Sequence, residues 1–193
     1  MQDELLLKRA ARGDADAFIA LIGPYEKKLY FWCLGTVKNP EDAKDCVQET
    51  LLKAFRGIAG FQTGAALSTW LYRIAYRACL DMLRKRRPQE ALPEEDHLHP
   101  ADPRPLPYEQ LEAAERQRLL NAAVQRLPDD YRLPLMLFVQ GEDYQAISEI
   151  LSVKLGTVKS RISRAREKLR EILSQDMELF SSTAVDMDER GQA

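Results

Sequence analysis

The 193-residue sequence predicts an all-α protein of two small helical domains joined by a flexible proline-rich linker. Apolar residues recur three and four positions apart, which is the period of an amphipathic helix. Six of the ten prolines fall between residues 88 and 107, a density that prevents a regular helix or sheet. A third stretch, Asp143–Leu173, has the pattern of two helices joined by a tight turn. We therefore expect domains at 1–87 and 107–175, a linker at 88–106 and an acidic tail at 176–193 that frays.

The first domain begins with helices that have recognisable starts. A short helix is expected over residues 3–12. Asp14 can cap the next helix, because its carboxylate can accept from the free N–H groups of the opening turn. Gly23-Pro24 is expected to break or kink that helix, since proline lacks an N–H. A further helix is then expected over residues 25–37.

The sequence from Asn39 to Asp42 is a strong helix start. It combines a capping asparagine, a proline in the first turn and two acids at the positive end of the helix dipole. The helix should continue to about Arg56. Its expected inner face consists of Ala43, Val47, Thr50, Leu51, Ala54 and Phe55. Its expected outer face consists of Asp45, Gln48, Glu49, Leu52 and Arg56. An exposed leucine in this polar strip is either a partner contact or an ordinary surface leucine.

A basic helix is expected from Thr69 to Arg87. Its inner positions are Leu71, Ile74, Ala78 and Met82. A second face is formed by Trp70, Arg73, Arg77 and Arg84, which are spaced three, four and seven apart. An aromatic ring among arginines can stack on unpaired bases while the guanidinium groups hold phosphates. A core tryptophan flanked by solvated arginines fits the same spacing, so the residues alone leave both interpretations open.

The second domain is expected to open with a helix from Pro107 to about Arg126. The next helix starts at Leu127-Pro128 and should end at Gln140-Gly141-Glu142. Pro134 should bend it or remove a hydrogen bond. Its core-facing residues are predicted to be Leu135, Leu137, Phe138 and Val139.

The stretch from Asp143 to Leu173 contains the most informative pattern. Asp143 can cap a short helix whose apolar positions are Ile147, Ile150 and Leu151. A longer helix opens near Thr157, after a turn in which Gly156 is expected to supply a positive φ or a close backbone approach. The inward stripe of this longer helix consists of Val158, Ile162, Ala165 and Leu169. The residues off the stripe are Lys159, Ser160, Ser163, Arg164, Arg166 and Arg170.

The longer helix is also strongly basic. Lys154–Arg170 contains seven Lys or Arg and one acid, a net charge of +6. A basic helix packed on a short preceding one is the helix-turn-helix plan, in which the second helix enters the major groove. Arg, Lys, Ser and Thr can reach phosphates and base edges there. The alternative is an amphipathic surface helix whose charges are merely solvated.

The formal net charge of −2 conceals a segregation of charge along the chain. Residues 72–87 hold six basic residues and one acid, whereas residues 88–115 hold eight acids and one arginine. The tail from residue 171 holds six acids and one arginine. Two basic blocks separated by acidic ones suggest two DNA-facing patches with polar connectors.

Composition also argues against several classes of protein. Cys33, Cys46 and Cys79 lie among apolar residues without close pairing, so reduced core thiols in a cytoplasmic protein are expected. No signal peptide opens the chain, and no apolar run approaches the roughly 20 residues of a membrane span. The two histidines, His97 and His99, lack the cysteine partners of a common metal site. Without a catalytic set or a phosphate-cradling glycine loop, neither enzymatic activity nor a cofactor is expected.

The basic helix of the second domain resembles the promoter-reading helix of RNA polymerase sigma factors of the extracytoplasmic-function (ECF) group. The matching residues are Leu155-Gly156-Thr157-Val158-Lys159-Ser160-Arg161 and Ser163-Arg164-Ala165-Arg166. Asp42–Thr50 closely resembles the family's helix that docks on the clamp helices of core polymerase. Ser68–Ala75 is similar to the segment that opens the downstream (−10) promoter element. The resemblance covers about residues 1–87 and 107–173.

The resemblance implies a transcription initiation factor that binds promoter DNA and the clamp helices and flap of core RNA polymerase. The bases of the upstream (−35) element would be contacted by Lys159, Ser160, Ser163 and Arg164. The phosphates there would be held by Thr157, Arg161 and Arg166. The −10 element would be opened by a loop with Gln62, Thr63 and Ser68, and by Trp70, Arg73 and Arg77. Core polymerase would be bound by Asp45, Gln48, Glu49, Leu52 and Arg56.

The resemblance further implies a protein that is monomeric when free and is held inactive by an anti-sigma factor. It also suggests that the acidic linker follows the RNA exit path of the polymerase. In the second domain, two residues depart from the family pattern. Ala146 replaces the glutamate that would complete a capping box with Asp143. Ser152 replaces a common turn glycine, at a cost of about 1 kcal/mol if that residue needs a positive φ.

Two other classes of function fit the residues. A stand-alone transcription regulator would dimerise and bind operators with the same helix-turn-helix. A helical interaction protein would use its basic faces for acidic protein partners. Salt-dependent DNA binding that requires core polymerase would distinguish the sigma factor from both.

Overall fold

The computed structural model describes residues 2–61, 66–85 and 108–190, with side chains at 3–61, 66–85 and 116–176. These ranges form eight α-helices and one short 3-10 turn at Ile58–Gly60, and they contain no strand. The helices are α1 (Gln2–Ala10), α2 (Ala15–Val37), α3 (Pro40–Gly57), α4 (Leu67–Lys85), α5 (Tyr108–Gln125), α6 (Asp129–Val139), α7 (Tyr144–Leu151) and α8 (Leu155–Arg190). The all-α prediction is confirmed. The predicted linker at 88–106 lies outside the described residues.

Contacts within the fold divide the described residues into two compact units. The first unit takes in helices α1–α4 together with residues 136–159, and the second takes in the remaining described residues. Within the first unit, α2 packs against α1, α3 and α4, and α4 packs against α3 and α7. The first helix of the predicted helix-turn-helix therefore packs on the basic helix α4.

Three helices start at the caps that the sequence predicts. The Asp14 carboxylate accepts from the N–H three residues on at 3.0 Å. The Asn39 side chain accepts from the N–H groups of the second and third residues of α3, Glu41 and Asp42, both at 3.0 Å. The Asp143 carboxylate accepts from the N–H three residues on at 2.7 Å. Each cap satisfies N–H groups that the first turn of a helix leaves without a backbone partner.

A single 23-residue helix, α2, covers the span in which two helices were predicted. Pro24 removes the N–H that would bond the Ala20 carbonyl. Both residues are exposed, so water can supply the missing donor. Leu21 and Leu29 are buried on either side of the proline, and their packing keeps the two halves in one helix. The prediction of two separate helices on either side of Gly23-Pro24 is therefore wrong, whereas the kink expected as the alternative stays a prediction.

The core of the first unit contains the three cysteines, one each from α2, α3 and α4. Cys33, Cys46 and Cys79 are free thiols, each at most 1% exposed. The hydrogen bond with Cys79, and then burial, raise the pKa of the Cys46 thiol. The hydrogen bond with Cys33 is the main cause of the raised pKa of Cys79. Burial and mutual contact thus keep the Cys46 and Cys79 thiols protonated. The prediction that all three cysteines are core residues is confirmed.

The junction between α5 and α6, in the second unit, is organised around a fully buried arginine. Arg132 Nη1 donates to the carbonyl oxygens of Gln125 and Leu127 at 3.0 and 3.1 Å. Its Nη2 pairs with Asp129 Oδ1 at 2.5 Å. These bonds give partners to both terminal nitrogens of the buried guanidinium, and to two carbonyls at and just after the end of α5. Helical periodicity gave no indication of this role, because it treats arginine as a surface residue.

Two apolar residues predicted to face the core are exposed instead. Val139, the last residue of α6, is 76% exposed, although Leu135 and Leu137 are buried as predicted. Phe55 is 37% exposed and packs edge-on against Phe18, with ring centroids 5.1 Å apart. A helical period identifies a face of a helix, but it does not show where along that face the packing ends.

The turn between α7 and α8 differs from the prediction at its glycine. Ile147, Ile150 and Leu151 of α7 are buried as expected. Gly156 lies inside the first turn of α8 with open space around its Cα. The left-handed residue is Ser152, with φ of 55°. The expectation of a special backbone at Gly156 is therefore wrong.

The last helix, α8, is longer than expected. The sequence predicts fraying beyond Gln175, but the helical backbone continues to Arg190. No proline or glycine occurs between residues 157 and 190 to interrupt it. Helix α8 therefore extends beyond the residue after which the sequence predicts fraying, and fraying itself stays a prediction.

Replacing Ser152 with glycine should stabilise the protein. Glycine occupies the left-handed region without the steric penalty of a Cβ, so the free energy of unfolding should rise by about 1 kcal/mol. Ser163→Gly, in the middle of α8, is the matched control and should lower it by about 1 kcal/mol. Denaturant unfolding of the two variants and the parent chain measures both effects. Equal destabilisation by the two substitutions would contradict the assignment.

Candidate nucleic-acid interface

The rotation of α8 is fixed by an apolar stripe. Val158, Ile162 and Ala165 are each at most 1% exposed, and Leu169 is half-buried. The opposite side of the helix points to solvent. The exposed residues predicted to contact base edges are Lys159, Ser160, Ser163 and Arg164. The structure thus brings these four side chains together on one open helix face, next to further exposed basic residues, Lys154, Lys168 and Arg170.

The three residues predicted to hold phosphates have different environments. Arg166 is exposed and Thr157 is half-buried. Arg161 pairs with Asp130, near the start of α6, with Nη2 2.8 Å from the carboxylate. The Arg161 side chain is 25% exposed and that of Asp130 is 70% exposed. The sequence gave no sign of this ion pair, because its partners lie 31 positions apart on different helices.

A second basic face lies on α4. Arg73, Arg77 and Arg84 are exposed along it. Trp70 is half-buried, with its ring centroid 5.2 Å from that of Phe61. A Cβ at Gly57 would lie 3.4 Å from the Trp70 ring, so the indole also packs against the end of α3. Trp70 therefore combines the two interpretations of its spacing: one part of the ring packs on neighbours while another part remains accessible.

The loop before α4 is only partly within the described structure. The predicted site residues Gln62 and Thr63 lie outside the described residues. Ser68 is half-buried in the first turn of α4. Helix α4 begins at Leu67, two residues earlier than predicted.

Sequence reasoning missed the residues that pack against α4. Thr69 Oγ1 donates to Glu142 Oε2 at 3.1 Å, and the Tyr72 hydroxyl donates to Gln140 Oε1. Burial, and then the charge of Glu142, raise the pKa of the Tyr72 hydroxyl, so it remains a donor at neutral pH. A cavity of about 270 Å³ beside these contacts is lined by Arg73, Tyr76, Arg77, Leu80, Glu149, Ile150, Leu151 and Ser152. Contacts between residues some 70 positions apart leave no periodic signal in a single sequence.

A different surface is formed by the outer face of α3. All five residues predicted for it are exposed: Asp45, Gln48, Glu49, Leu52 and Arg56. Leu52 is 52% exposed, an apolar side chain within a polar strip. Next to this face, α2 and α3 enclose a groove of about 490 Å³ lined by Gly23, Glu26, Lys27, Tyr30, Lys44, Val47, Gln48 and Leu51. The contribution of α2 to this groove was not predicted.

Comparison with known proteins identifies the family. The sigma-70 region 2 family model matches residues 21–89, and the sigma-70 region 4 model matches residues 117–169. The ECF sigma factor SigW of Bacillus subtilis is 32% identical over 176 residues, covering 86% of this chain and 94% of SigW. SigM of Mycobacterium tuberculosis is 36% identical over 172 residues, covering 89% of this chain and 84% of SigM.

The chain belongs to the ECF sigma factors. It is a promoter-recognising transcription initiation factor and not an enzyme. The region 2 match contains the exposed face of α3 and the basic face of α4. The region 4 match contains the helix-turn-helix.

Solved structures support the same fold for this ECF sigma factor. The sigma factor RpoE of Bartonella quintana, in complex with the anti-sigma factor NepR, aligns with a TM-score of 0.67 and 27% identity. That alignment covers 81% of this chain and 96% of RpoE. CnrH, in complex with the cytosolic domain of CnrY, aligns with a TM-score of 0.64 and 23% identity, over 91% and 99% of the two chains, and shows the shared fold. Among the described residues of this sigma factor, no helix is long and apolar enough to cross a bilayer.

Proposed function

We propose that this ECF sigma factor binds core RNA polymerase through α3 and contacts two promoter elements through α8 and α4, opening the downstream element. The observation that carries the proposal is the exposure of two separate basic helix faces in a chain that matches both sigma-70 regions. A sigma factor acts where its polymerase and DNA are, so we place it in the cytoplasm. We propose that it is a monomer until it binds the polymerase.

The upstream (−35) element is assigned to α8. Arg164, Lys159, Ser160 and Ser163 are exposed on the side opposite the buried stripe, where they can enter a major groove. Arginine can donate two hydrogen bonds to a guanine edge, and serine can bond to several bases. Phosphates are assigned to Thr157, Arg161 and Arg166. These contacts fix the register of the helix but carry no sequence information.

The Arg161 guanidinium is already paired with Asp130 in the structure. It must therefore exchange this carboxylate for a phosphate when DNA binds. Its Asp130 partner is largely exposed, and ion pairs of that kind are weak because water screens them. A phosphate oxygen can replace the carboxylate without leaving a buried charge unpaired. Asp130 thus orients the guanidinium before DNA arrives.

The downstream (−10) element is assigned to α4 and the loop before it. Arg73 and Arg77 are exposed on α4 and can hold the phosphates of a single strand. The accessible part of the Trp70 ring can stack on an unpaired base. We assign the binding of another unpaired base to Ser68, Gln62 and Thr63.

We assign the binding of core polymerase to the outer face of α3. Acidic and polar side chains, Asp45, Gln48 and Glu49, surround the exposed Leu52, and Arg56 ends the strip. An apolar residue within a charged rim has the composition of a protein-binding surface. We assign binding of the polymerase flap to the second domain.

We further propose an anti-sigma factor as a partner, because RpoE, a structural neighbour at 27% identity, was solved with one.

A binding experiment with and without core polymerase tests the proposed function. Labelled genomic fragments would be titrated with the chain alone, and with the chain plus core polymerase, at several salt concentrations. Salt-dependent binding that requires core polymerase supports a sigma factor. Tight duplex binding by a dimer of the chain alone would indicate a stand-alone regulator. No DNA binding in either mixture would indicate an interaction protein and contradict the proposal.

Arg164→Ala and Arg161→Ala should have different effects on promoter binding. Loss of a bidentate base contact should weaken binding of the holoenzyme by about 1–3 kcal/mol and relax one promoter position. Loss of a phosphate contact at Arg161 should weaken all sequences similarly and lower the salt slope by about one unit. Competitive binding of promoter variants measures both effects. Equal losses on every promoter for both variants would contradict the division of roles.

Reversing the charge at Glu49 and replacing the apolar Leu52 by an acid, on the outer face of α3, should abolish binding to core polymerase. In the variant Glu49→Arg with Leu52→Asp, both side chains are exposed, so the fold should remain intact while the partner meets a repulsive surface. The matched control is Glu4→Arg with Leu5→Asp on α1, which makes the same changes at exposed positions of another helix. Pull-down of core polymerase should fail for the α3 variant only. Unchanged capture by that variant would reject this docking face.

A further inference from the structure

An acidic residue, Glu167, lies at the centre of the exposed, basic face of α8. It is the one acid between Lys154 and Arg170 in the sequence. The buried stripe fixes the rotation of the helix, and at about 3.6 residues per turn Glu167 points almost directly away from that stripe. It follows Ser160 by two turns, and its side chain is exposed. The proposed base-reading face therefore contains a negative charge.

A carboxylate on a DNA-facing helix is unfavourable unless it finds a partner there. It repels the phosphates that the surrounding basic residues attract, and it loses hydration when the helix enters a groove. The major groove offers a compensating donor, because cytosine and adenine each expose an amino group there. The Glu167 carboxylate can accept from such an amino group. Guanine and thymine instead present acceptors, which a carboxylate cannot pair with.

Glu167 also determines what the neighbouring Ser163 can recognise. Ser163 Oγ donates to Glu167 Oε1 at 3.5 Å, one turn away on the exposed face. The contact is long for a hydrogen bond, but a carboxylate is a stronger acceptor than a neutral group and attracts the hydroxyl proton. A serine hydroxyl has one proton and two lone pairs. With the proton directed at Glu167, the Ser163 oxygen can only accept from a base.

We infer that Glu167 and Ser163 together read an amino group on one base of the upstream element. This inference rests on the proposed contact between α8 and that element. Both side chains present acceptors at one place on the helix, so the base that faces them is cytosine or adenine. Every base pair has one such base, and reversing the pair moves its amino group to the other strand. The two residues therefore select which strand carries the amino base.

This role is opposite to that of the basic residues around it. Arg164 donates, so it suits the acceptors of guanine, whereas Glu167, three positions later, requires a donor. A glutamate that was merely solvated would weaken binding to every DNA sequence by the same factor, since all of them carry phosphates. A preference confined to one base position is thus the property that separates recognition by Glu167 from simple repulsion.

Binding of promoter variants by the assembled holoenzyme tests the inference. The probes are duplexes in which each position of the upstream element carries every base pair in turn, on a promoter mapped by its transcripts. At one position, the parent should bind roughly tenfold more tightly with cytosine or adenine on one strand than with guanine or thymine. Glu167→Gln should reduce this difference to roughly threefold or less, because an amide can donate as well as accept.

Glu171→Gln is the matched control, because it removes the same charge from an exposed position one turn further along α8. It should leave the base preference unchanged. Ser163→Ala should weaken the preference at the same position as Glu167→Gln. Adding it to Glu167→Gln should change the preference no further, since Ser163 depends on Glu167 for its orientation. All three side chains are exposed, so the variants should fold.

The outcomes separate this inference from the proposed function. If the parent holoenzyme binds no promoter, both fail. If it binds promoters but prefers guanine or thymine at the position that Glu167→Gln affects, only the inference fails. The inference also fails if Glu167→Gln changes binding to every duplex by one factor, or if Glu171→Gln alters the base preference equally. A preference for an amino base that Glu167→Gln loses and Glu171→Gln retains supports it.

Discussion

The burial of Val158, Ile162 and Ala165 is the interaction on which the proposed promoter-reading surface of α8 depends. A helix with one apolar stripe can satisfy that stripe in only one rotation, so the opposite side must face solvent. Arg164 and Ser163 therefore point outward, away from the buried stripe. Burial of the apolar stripe stabilises the fold far more than repulsion among the exposed basic residues destabilises it, because water and salt screen those charges.

Helix α4 is held both by apolar burial and by polar contacts. Its inner side is apolar, and Leu71 and Ala75 are fully buried. Beside that core, Thr69 and Tyr72 use hydroxyl groups to bind Gln140 and Glu142. Polar contacts are more easily exchanged than apolar burial, because water can replace a hydrogen-bond partner but cannot replace a packed side chain.

The sequence predicted those features that depend on neighbouring residues. Asp14, Asn39 and Asp143 are caps because a short polar side chain and the N–H groups it satisfies lie within three residues. The α8 stripe is likewise a local repeat. Features that depend on distant residues were missed, including the Arg161–Asp130 pair and the packing of α7 on α4. The burial of Arg132 was missed for another reason: helical periodicity treats arginine as a surface residue, although its partners lie only three to seven residues away. The break predicted at Pro24 was wrong because proline's effect on a helix depends on whether water can reach the carbonyl that loses its partner.

The outward direction of α8 and its contact with the upstream element form the central claim, and site-specific photo-cross-linking tests it most directly. A photoreactive amino acid would be placed at Ser163, on the exposed face, and separately at Ser174, further along α8. Each chain would be assembled with core polymerase on a promoter mapped by its transcripts. The account predicts that position 163 cross-links to duplex DNA within the upstream element and that position 174 does not. Absence of a cross-link from position 163, or cross-links only to the downstream element, would contradict it.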